Sequence, residues 1–301
     1  MAVYKRNYKR FEGDLTDERW RFTILPRYAF QTVFESKLMT SFFTVCFAPH
    51  LIGLVLIYLR YNLGALVALD IQALQFLNID AGFFLNIFAA ETYLSFLLIT
   101  FIGPNLIAPD LANNALPLYL SRPFSKREYI LGKLSVLVTV TSLITWIPGM
   151  LLIAVQVNEA GVQWLWDNMR IPAGILVGSW IWILTVSLVA LALSAWIKLR
   201  PGTIFALFGL FFVLATFGFF ANVMLDLRPA WGVLLNMNTT MRALWEWLLL
   251  GEKEYGPVFE RGRMVPSGVP SWAALTSLIG FSSLSLFLLL KKIRACEVVR
   301  G

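Results

Sequence analysis

Charged residues are scarce in this sequence. Only 14% of its 301 residues are Asp, Glu, Lys or Arg, whereas 58% are hydrophobic. Soluble globular proteins carry about a quarter charged residues, so the composition excludes an ordinary soluble domain. Apolar stretches of about 20 residues recur instead, and a helix of that length crosses the hydrocarbon core of a bilayer. The net charge of +7 predicts no nucleic-acid partner, because the basic residues flank the apolar stretches.

Residues that carry catalytic or cofactor chemistry are also few. The chain has one histidine and two cysteines, too few for a metal or disulfide framework. It lacks the Gly-x-x-x-x-Gly-Lys-Ser/Thr loop that holds nucleotide phosphates, because Gly132-Lys133 has no upstream glycine and is followed by Leu134. We therefore predict no metal, no cofactor and no catalytic residue in this chain, and we expect that it is not itself an enzyme.

The apolar pattern predicts an all-α polytopic membrane protein that forms a single domain over residues 1–301. No cleavable signal peptide is apparent in residues 1–37, which are polar and of mixed charge. This part is predicted to be a cytoplasmic arm followed by an amphipathic helix lying at the membrane interface. Six transmembrane helices are predicted at residues 38–59, 83–109, 134–157, 171–197, 203–225 and 271–290.

The positions of the basic residues predict the orientation of these helices. With the N-terminus inside, eighteen Lys and Arg residues lie on the inner side and seven on the outer side. Both termini are therefore predicted to be cytoplasmic, in a multi-pass protein of the cell inner (cytoplasmic) membrane. The outer loop over 226–270 contains the apolar run TTMRALWEWLLL, which is too short to cross. It predicts short re-entrant or interfacial helices before span six, with Trp245 and Trp247 at headgroup level.

The polar segment over residues 105–133 has an ordered pattern of its own. Asp110 and Asn113 suit the start of a short helix, because their side chains accept from unpaired backbone N–H groups there. Pro123 is expected to end that helix, since the residue before a proline resists the α region. The orientation places this segment in the cytoplasm, with a basic cluster at the membrane face that comprises Arg122, Lys126 and Arg127.

The string LYLSRPFSKREYILGK at residues 118–133, preceded by Asp110, resembles the cytoplasmic loop of ABC-2 type permeases. These are the membrane subunits of one class of ATP-binding-cassette exporters. The resemblance implies a short cytoplasmic coupling helix between spans two and three, within the coupling loop over 110–133. It implies a permease homodimer that binds two copies of a separate ABC ATPase subunit, with ATP and Mg on the ATPase. The residues expected at the docking site are Asp110, Leu111, Asn114, Ala115, Leu118, Tyr119, Ser121, Arg122 and Pro123.

Two ionisable residues lie inside predicted spans. Glu91 lies about 12 Å along the second span from its outer end, at 1.5 Å per residue. A charge there is costly unless it faces water or a partner. Either Glu91 lines a substrate path, or it is satisfied by neighbours such as Asn86 or Thr92 and only orients helices. His50 either handles protons or gates the path, or it bonds a backbone carbonyl that the preceding proline leaves free.

These features predict an exporter of a hydrophobic or amphipathic substrate, such as a lipid, a peptide or a drug-like molecule. Coupling to the ATPase is expected through residues 110–123, and the substrate path is expected to include Glu91, Asn86 and His50. Membrane lipid surrounds the spans. Two other functions remain open: an intramembrane lipid-modifying enzyme that uses Glu91 and His50, and a non-transporting membrane scaffold for an ATPase.

Overall fold

The computed structural model describes most of the chain. Only the backbone is described for Ile24, for the two short strands and for residues 294–298. Residues 1–23, which belong to the predicted arm, and most of the segment between spans one and two lie outside the described residues. The structure describes residues 24–62, 64, 78–115, 125–252, 258–260, 263–265 and 267–298.

Six helical segments are long and apolar enough to cross a membrane. This confirms the prediction of a helical, multi-pass membrane protein. We number these segments as spans one to six, and they cover Lys37–Tyr61, Ala81–Ala112, Lys126–Ala160, Arg170–Trp196, Arg200–Met224 and Trp272–Ile293.

The individual helices and strands are short pieces of these spans and their connections. A 3-10 helix covers Trp231–Leu235, a π-helical turn covers Glu246–Leu250, and an antiparallel hairpin joins Val258–Glu260 to Arg263–Val265. The α-helices cover Ile24–Phe34, Lys37–Val45, Ala48–Tyr61, Ala81–Ile102, Pro104–Ala112, Lys126–Ile144, Trp146–Ala160, Val162–Asp167, Arg170–Trp196, Arg200–Met224, Met237–Trp245 and Trp272–Val298.

Spans one, two and three are each interrupted once. A proline has no N–H to donate and is tolerated in the first turn of a helix, so a new helical piece begins where the prolines stand. Each interruption precedes a proline by one to three residues: Cys46-Phe47 before Pro49, Gly103 before Pro104, and Thr145 before Pro148.

Span four is the centre of the bundle. Of its most apolar stretch, 72% is buried, against 28% for spans one and six and 17% for span five. Two of its polar side chains bond to neighbouring spans: the hydroxyls of Thr185 and Ser282 lie 2.9 Å apart, and Ser194 accepts from the backbone N–H of Ala108. Span five instead leaves a row of large rings exposed, comprising Phe205, Phe212, Phe217, Phe219 and Phe220.

The segment between spans five and six folds back into the bundle. The side chain of Trp245, which the sequence predicts at headgroup level, is only 2% exposed and packs between spans two and four. Gly178 on span four makes room for the ring, since a Cβ there would lie 2.3 Å from Trp245 Cζ3. At the other end of span four's contact with this segment, the Arg170 guanidinium donates to the backbone carbonyls of Trp247 and Leu248.

Candidate functional site

The structure brings together the two ionisable residues that the sequence places in separate spans. His50 Nδ1 on span one lies 3.7 Å from Glu91 Oε2 on span two. Their side chains are 4% and 1% exposed, respectively. Pro49 starts the second helical piece of span one, and this places His50 on the face that packs against span two. The two residues therefore form one buried polar pair that joins two spans.

This pair has no other polar support among the residues that the structure describes. Both ring nitrogens of His50 and both carboxylate oxygens of Glu91 lack a hydrogen-bond partner there. Its neighbours are aromatic: the Phe88 ring meets the His50 ring edge-on at 5.6 Å, and Trp245 lies 5.1 Å from Phe88 between ring centroids. Buried polar groups without partners are rare in proteins and are frequently functional inside membranes.

The next polar residues along span two are, in contrast, fully bonded. Thr92 accepts from the indole N–H of Trp245 at 3.2 Å, and Ser95 accepts from that of Trp182 at 2.9 Å. Each hydroxyl also donates to a backbone carbonyl one turn earlier, Phe88 for Thr92 and Glu91 for Ser95. These hydrogen bonds join span two to span four and to the segment between spans five and six, and they fix the part of span two that carries Glu91.

Asn86 does not join the pair. It is exposed on the surface of span two, whereas Glu91 is buried. Five residues along a helix correspond to a rotation of about 140°, which turns the two side chains to different faces. Among the three residues predicted for the substrate path, the structure thus brings His50 and Glu91 together and leaves Asn86 apart.

Where span two ends, Asp110 contacts span three. Its Oδ2 lies 2.8 Å from Lys133 Nζ and accepts a hydrogen bond from the Tyr129 hydroxyl, also at 2.8 Å. The ammonium of Lys133 lies 5.5 Å from the centre of the Tyr129 ring, and the ring is fully buried. We call Asp110, Tyr129 and Lys133 the clasp, because together they tie the two ends of the coupling loop to each other.

The start of the coupling loop differs from the sequence-based expectation. Asp110 does not begin a helix; it lies in the last turn of the helix Pro104–Ala112. Asn114 adopts a left-handed conformation with φ of 51°, and the N–H of Ala115 donates to the carbonyl of Asp110 at 2.7 Å. This is a Schellman-type ending, for which asparagine is the usual alternative to glycine.

The end of the coupling loop is set by a capping box. Ser125 Oγ accepts from the N–H of Glu128, and the Glu128 carboxylate accepts from the N–H of Ser125. The helix of span three therefore begins at Lys126, eight residues before the predicted start at 134. As a result Lys133 lies two turns inside the helix and is buried, and it does not reach outward as a surface anchor.

Only part of the predicted docking surface is described. Leu111 and Ala115 are half-buried, and Asn114 is exposed beside them. The other predicted docking residues lie outside the described residues; they are Leu118, Tyr119, Ser121, Arg122 and Pro123.

Two features of these sites escaped sequence reasoning. The pairing of His50 with Glu91 depends on the packing of separate spans, and the only sequence signal is that both are ionisable and lie within apolar runs. Tyr129 and Lys133 are four residues apart and follow a serine and a glutamate that match a capping box, so their shared helix face was recognisable. Within the described ranges, no three His, Cys, Asp or Glu side chains gather as metal ligands would.

Two comparisons with known proteins found no relative of this chain. No family model matches the chain, and no curated protein matches it.

Proposed function

We propose that this chain is the transmembrane subunit of an ATP-driven transporter of the ABC-2 type, exporting a hydrophobic or amphipathic substrate. The observation that carries the proposal is the loop sequence at residues 118–133 between two spans. The defined ends of the loop support it, because the Schellman-type ending at Asn114 and the capping box at Ser125 fix where the chain leaves and rejoins the helices.

In this proposal both termini and the coupling loop lie in the cytoplasm, and the protein resides in the inner membrane. The helix Ile24–Phe34 lies along the cytoplasmic face and packs against the start of span three. The coupling helix falls within residues 110–123. The segment that carries Trp245 is re-entrant from the outer side, which agrees with the burial of its side chain.

The active assembly is a homodimer of this chain with two copies of an ABC ATPase, and ATP and Mg²⁺ bind to the ATPase. The exposed apolar faces of spans one and five provide the surface for a second copy or for lipid. An apolar groove of about 370 Å³ on span five, lined by Phe212, Val213, Thr216, Phe217 and Phe220, is part of this surface.

The substrate path runs beside span two. Phe96 of span two packs against Phe211 of span five, with 3.7 Å between ring centroids. Separation of these two spans would expose apolar rings, which a hydrophobic or amphipathic substrate could cover. The His50–Glu91 pair lies in the same bundle, between spans one and two. Its polar groups could contact a polar or cationic part of the substrate. ATP-driven closure of the ATPases moves the coupling loop, and the spans then open outward or laterally into lipid.

Leu118→Asp and Tyr119→Asp test this proposal. A charge on an apolar docking face should weaken ATPase contact by about 2 kcal/mol, roughly thirtyfold in affinity, as loss of an interface hot spot does. ATP-dependent flux in vesicles should fall accordingly while the spans stay folded. Leu199→Asp is the matched control, since Leu199 is 73% exposed in the loop between spans four and five. Wild-type coupling in Leu118→Asp would contradict the proposal, and a bound ATPase without any flux would favour a scaffold.

An intramembrane enzyme that acts on lipid is the second candidate. The observation that favours it is the 3.7 Å approach of His50 to Glu91, which are two groups able to exchange protons with a substrate. Chemical conversion of a lipid by the purified chain without ATP, lost in Glu91→Gln, would select this function over transport.

A further inference from the structure

The clasp joins three chain segments at one carboxylate. The side chain of Asp110 bonds to span three through Lys133 and Tyr129, and its backbone carbonyl accepts from Ala115 in the coupling loop. The loop, the end of span two and the start of span three therefore meet at a single residue. A displacement at residues 113–115 can therefore reach both spans through the hydrogen bonds and the ion pair of Asp110.

The clasp is also largely shielded from water. The side chains of Lys133 and Asp110 are 9% and 15% exposed. Ion pairs at this level of burial are screened little by salt, and loss of one partner leaves the other charge desolvated. A lysine that served only to anchor the helix to lipid headgroups would extend to the surface instead.

Both spans that the clasp joins are interrupted further along. The backbone of Thr145 departs from helical geometry, with φ of −106° and ψ of −96°, and divides span three after Ile144. In span two the backbone of Gly103 keeps helical dihedral angles, with φ of −53° and ψ of −46°, and the helical hydrogen-bond ladder is interrupted there because Pro104 has no N–H to donate. The helical pieces Pro104–Ala112 and Lys126–Ile144 are thus bonded to each other through the clasp, and each ends at an interruption of its helical hydrogen bonds or of its helical geometry.

We propose that Asp110 is a positioning residue that makes these two inner pieces move as one body when the coupling loop is pushed. This inference rests on the proposed function, since the push comes from the ATPase. It reassigns Asp110 from direct docking, because its carboxylate is already engaged by Tyr129 and Lys133. Helices transmit such displacements with little loss, and bonded interfaces switch between discrete arrangements.

The test measures movement in the whole complex, purified through a tag on this chain and trapped with ATP and vanadate. Spin labels at Asn113 and at Leu131 report on the loop and on span three, respectively, and each is measured against a label at Leu199. The side chains at all three sites are exposed. We expect ATP to change both distances in the otherwise unaltered protein. In Asp110→Asn the change at 113 should persist, whereas the change at 131 should be lost.

Two further variants keep the result interpretable. Asp226→Asn removes an exposed ion-pair partner of Arg228 and should leave both changes intact. The exchange Asp110→Lys with Lys133→Asp restores an ion pair of reversed direction and should recover part of the movement at 131. If Asp110→Asn does not fold, Tyr129→Phe removes only one hydrogen bond of the clasp and should reduce the movement at 131 partially.

The outcomes separate this inference from the proposed function. If the ATPase binds and the change at 131 is unaltered in Asp110→Asn and in Tyr129→Phe, the clasp is only structural and the inference is wrong, although the transporter proposal stands. If no ATPase accompanies the unaltered chain, the transporter proposal fails and the inference fails with it.

Discussion

Gly178→Ala should destabilise the protein by about 3 kcal/mol, at the upper end of what overpacking usually costs. The added Cβ would lie 2.3 Å from Trp245 Cζ3 and 2.7 Å from Cη2. The indole cannot move away easily, because its N–H donates to Thr92 and its ring packs against Phe88. The clash therefore displaces the segment between spans five and six from the bundle.

The measurement is the temperature at which purified protein in detergent stops eluting as a single species. Gly280→Ala is the matched control, since it also lies in a span but its Cβ would meet nothing within 4 Å. Because alanine favours helices over glycine by up to about 1 kcal/mol, this control should be neutral or slightly stabilised.

A second substitution, Trp245→Leu, tests whether contact with the indole ring causes the loss of stability. In a Trp245→Leu background the ring is absent, so Gly178→Ala should then cost little. Equal losses in both backgrounds would show that the Gly178–Trp245 contact is not what limits stability. Such non-additivity is expected only for residues in direct contact.

The second large effect is expected at the buried pair. In His50→Leu the Glu91 carboxylate loses its neighbour at 3.7 Å, and in Glu91→Leu the His50 imidazole loses the carboxylate. Leaving one buried polar group without a partner costs about 1 to 3 kcal/mol in soluble proteins, whereas replacing both partners with apolar residues can be nearly neutral. We therefore expect each single variant to be less stable than the double variant.

The double variant also decides what the pair does. If it folds normally and loses ATP-dependent flux, the pair belongs to the substrate path. If it folds and transports at the wild-type rate, the pair only orients spans one and two. Singles that are as stable as the double would contradict the energetic argument, because they would mean that His50 and Glu91 do not interact. Flux and thermal stability are measured on the same vesicle and detergent preparations.

The number and approximate position of the spans followed from the sequence, because length and hydrophobicity alone decide whether a helix can cross a bilayer. The boundary of span three was missed by eight residues for a physical reason. Lys126, Arg127 and Lys133 are polar, so a hydropathy criterion stops at residue 134, whereas the capping box at Ser125 starts the helix at Lys126.

The candidate sites were only partly predictable. His50 and Glu91 were recognisable singly, since ionisable residues are costly inside apolar runs. Their contact was not, because it depends on how the second piece of span one packs against span two. The packing of Trp245 was not predictable either, because the recess beside Gly178 that receives its ring is formed only by the assembled bundle.

The contact between Trp245 and Gly178 also bears on how the protein is made. Spans one to four are synthesised before residue 245 leaves the ribosome, so during that time the recess on span four has no ring to fill it. The recess beside Gly178 is therefore filled only after Trp245 has been synthesised and has reached the bundle. Chains released from the ribosome that end before residue 245 should accordingly be more protease-sensitive than released chains that include residue 250.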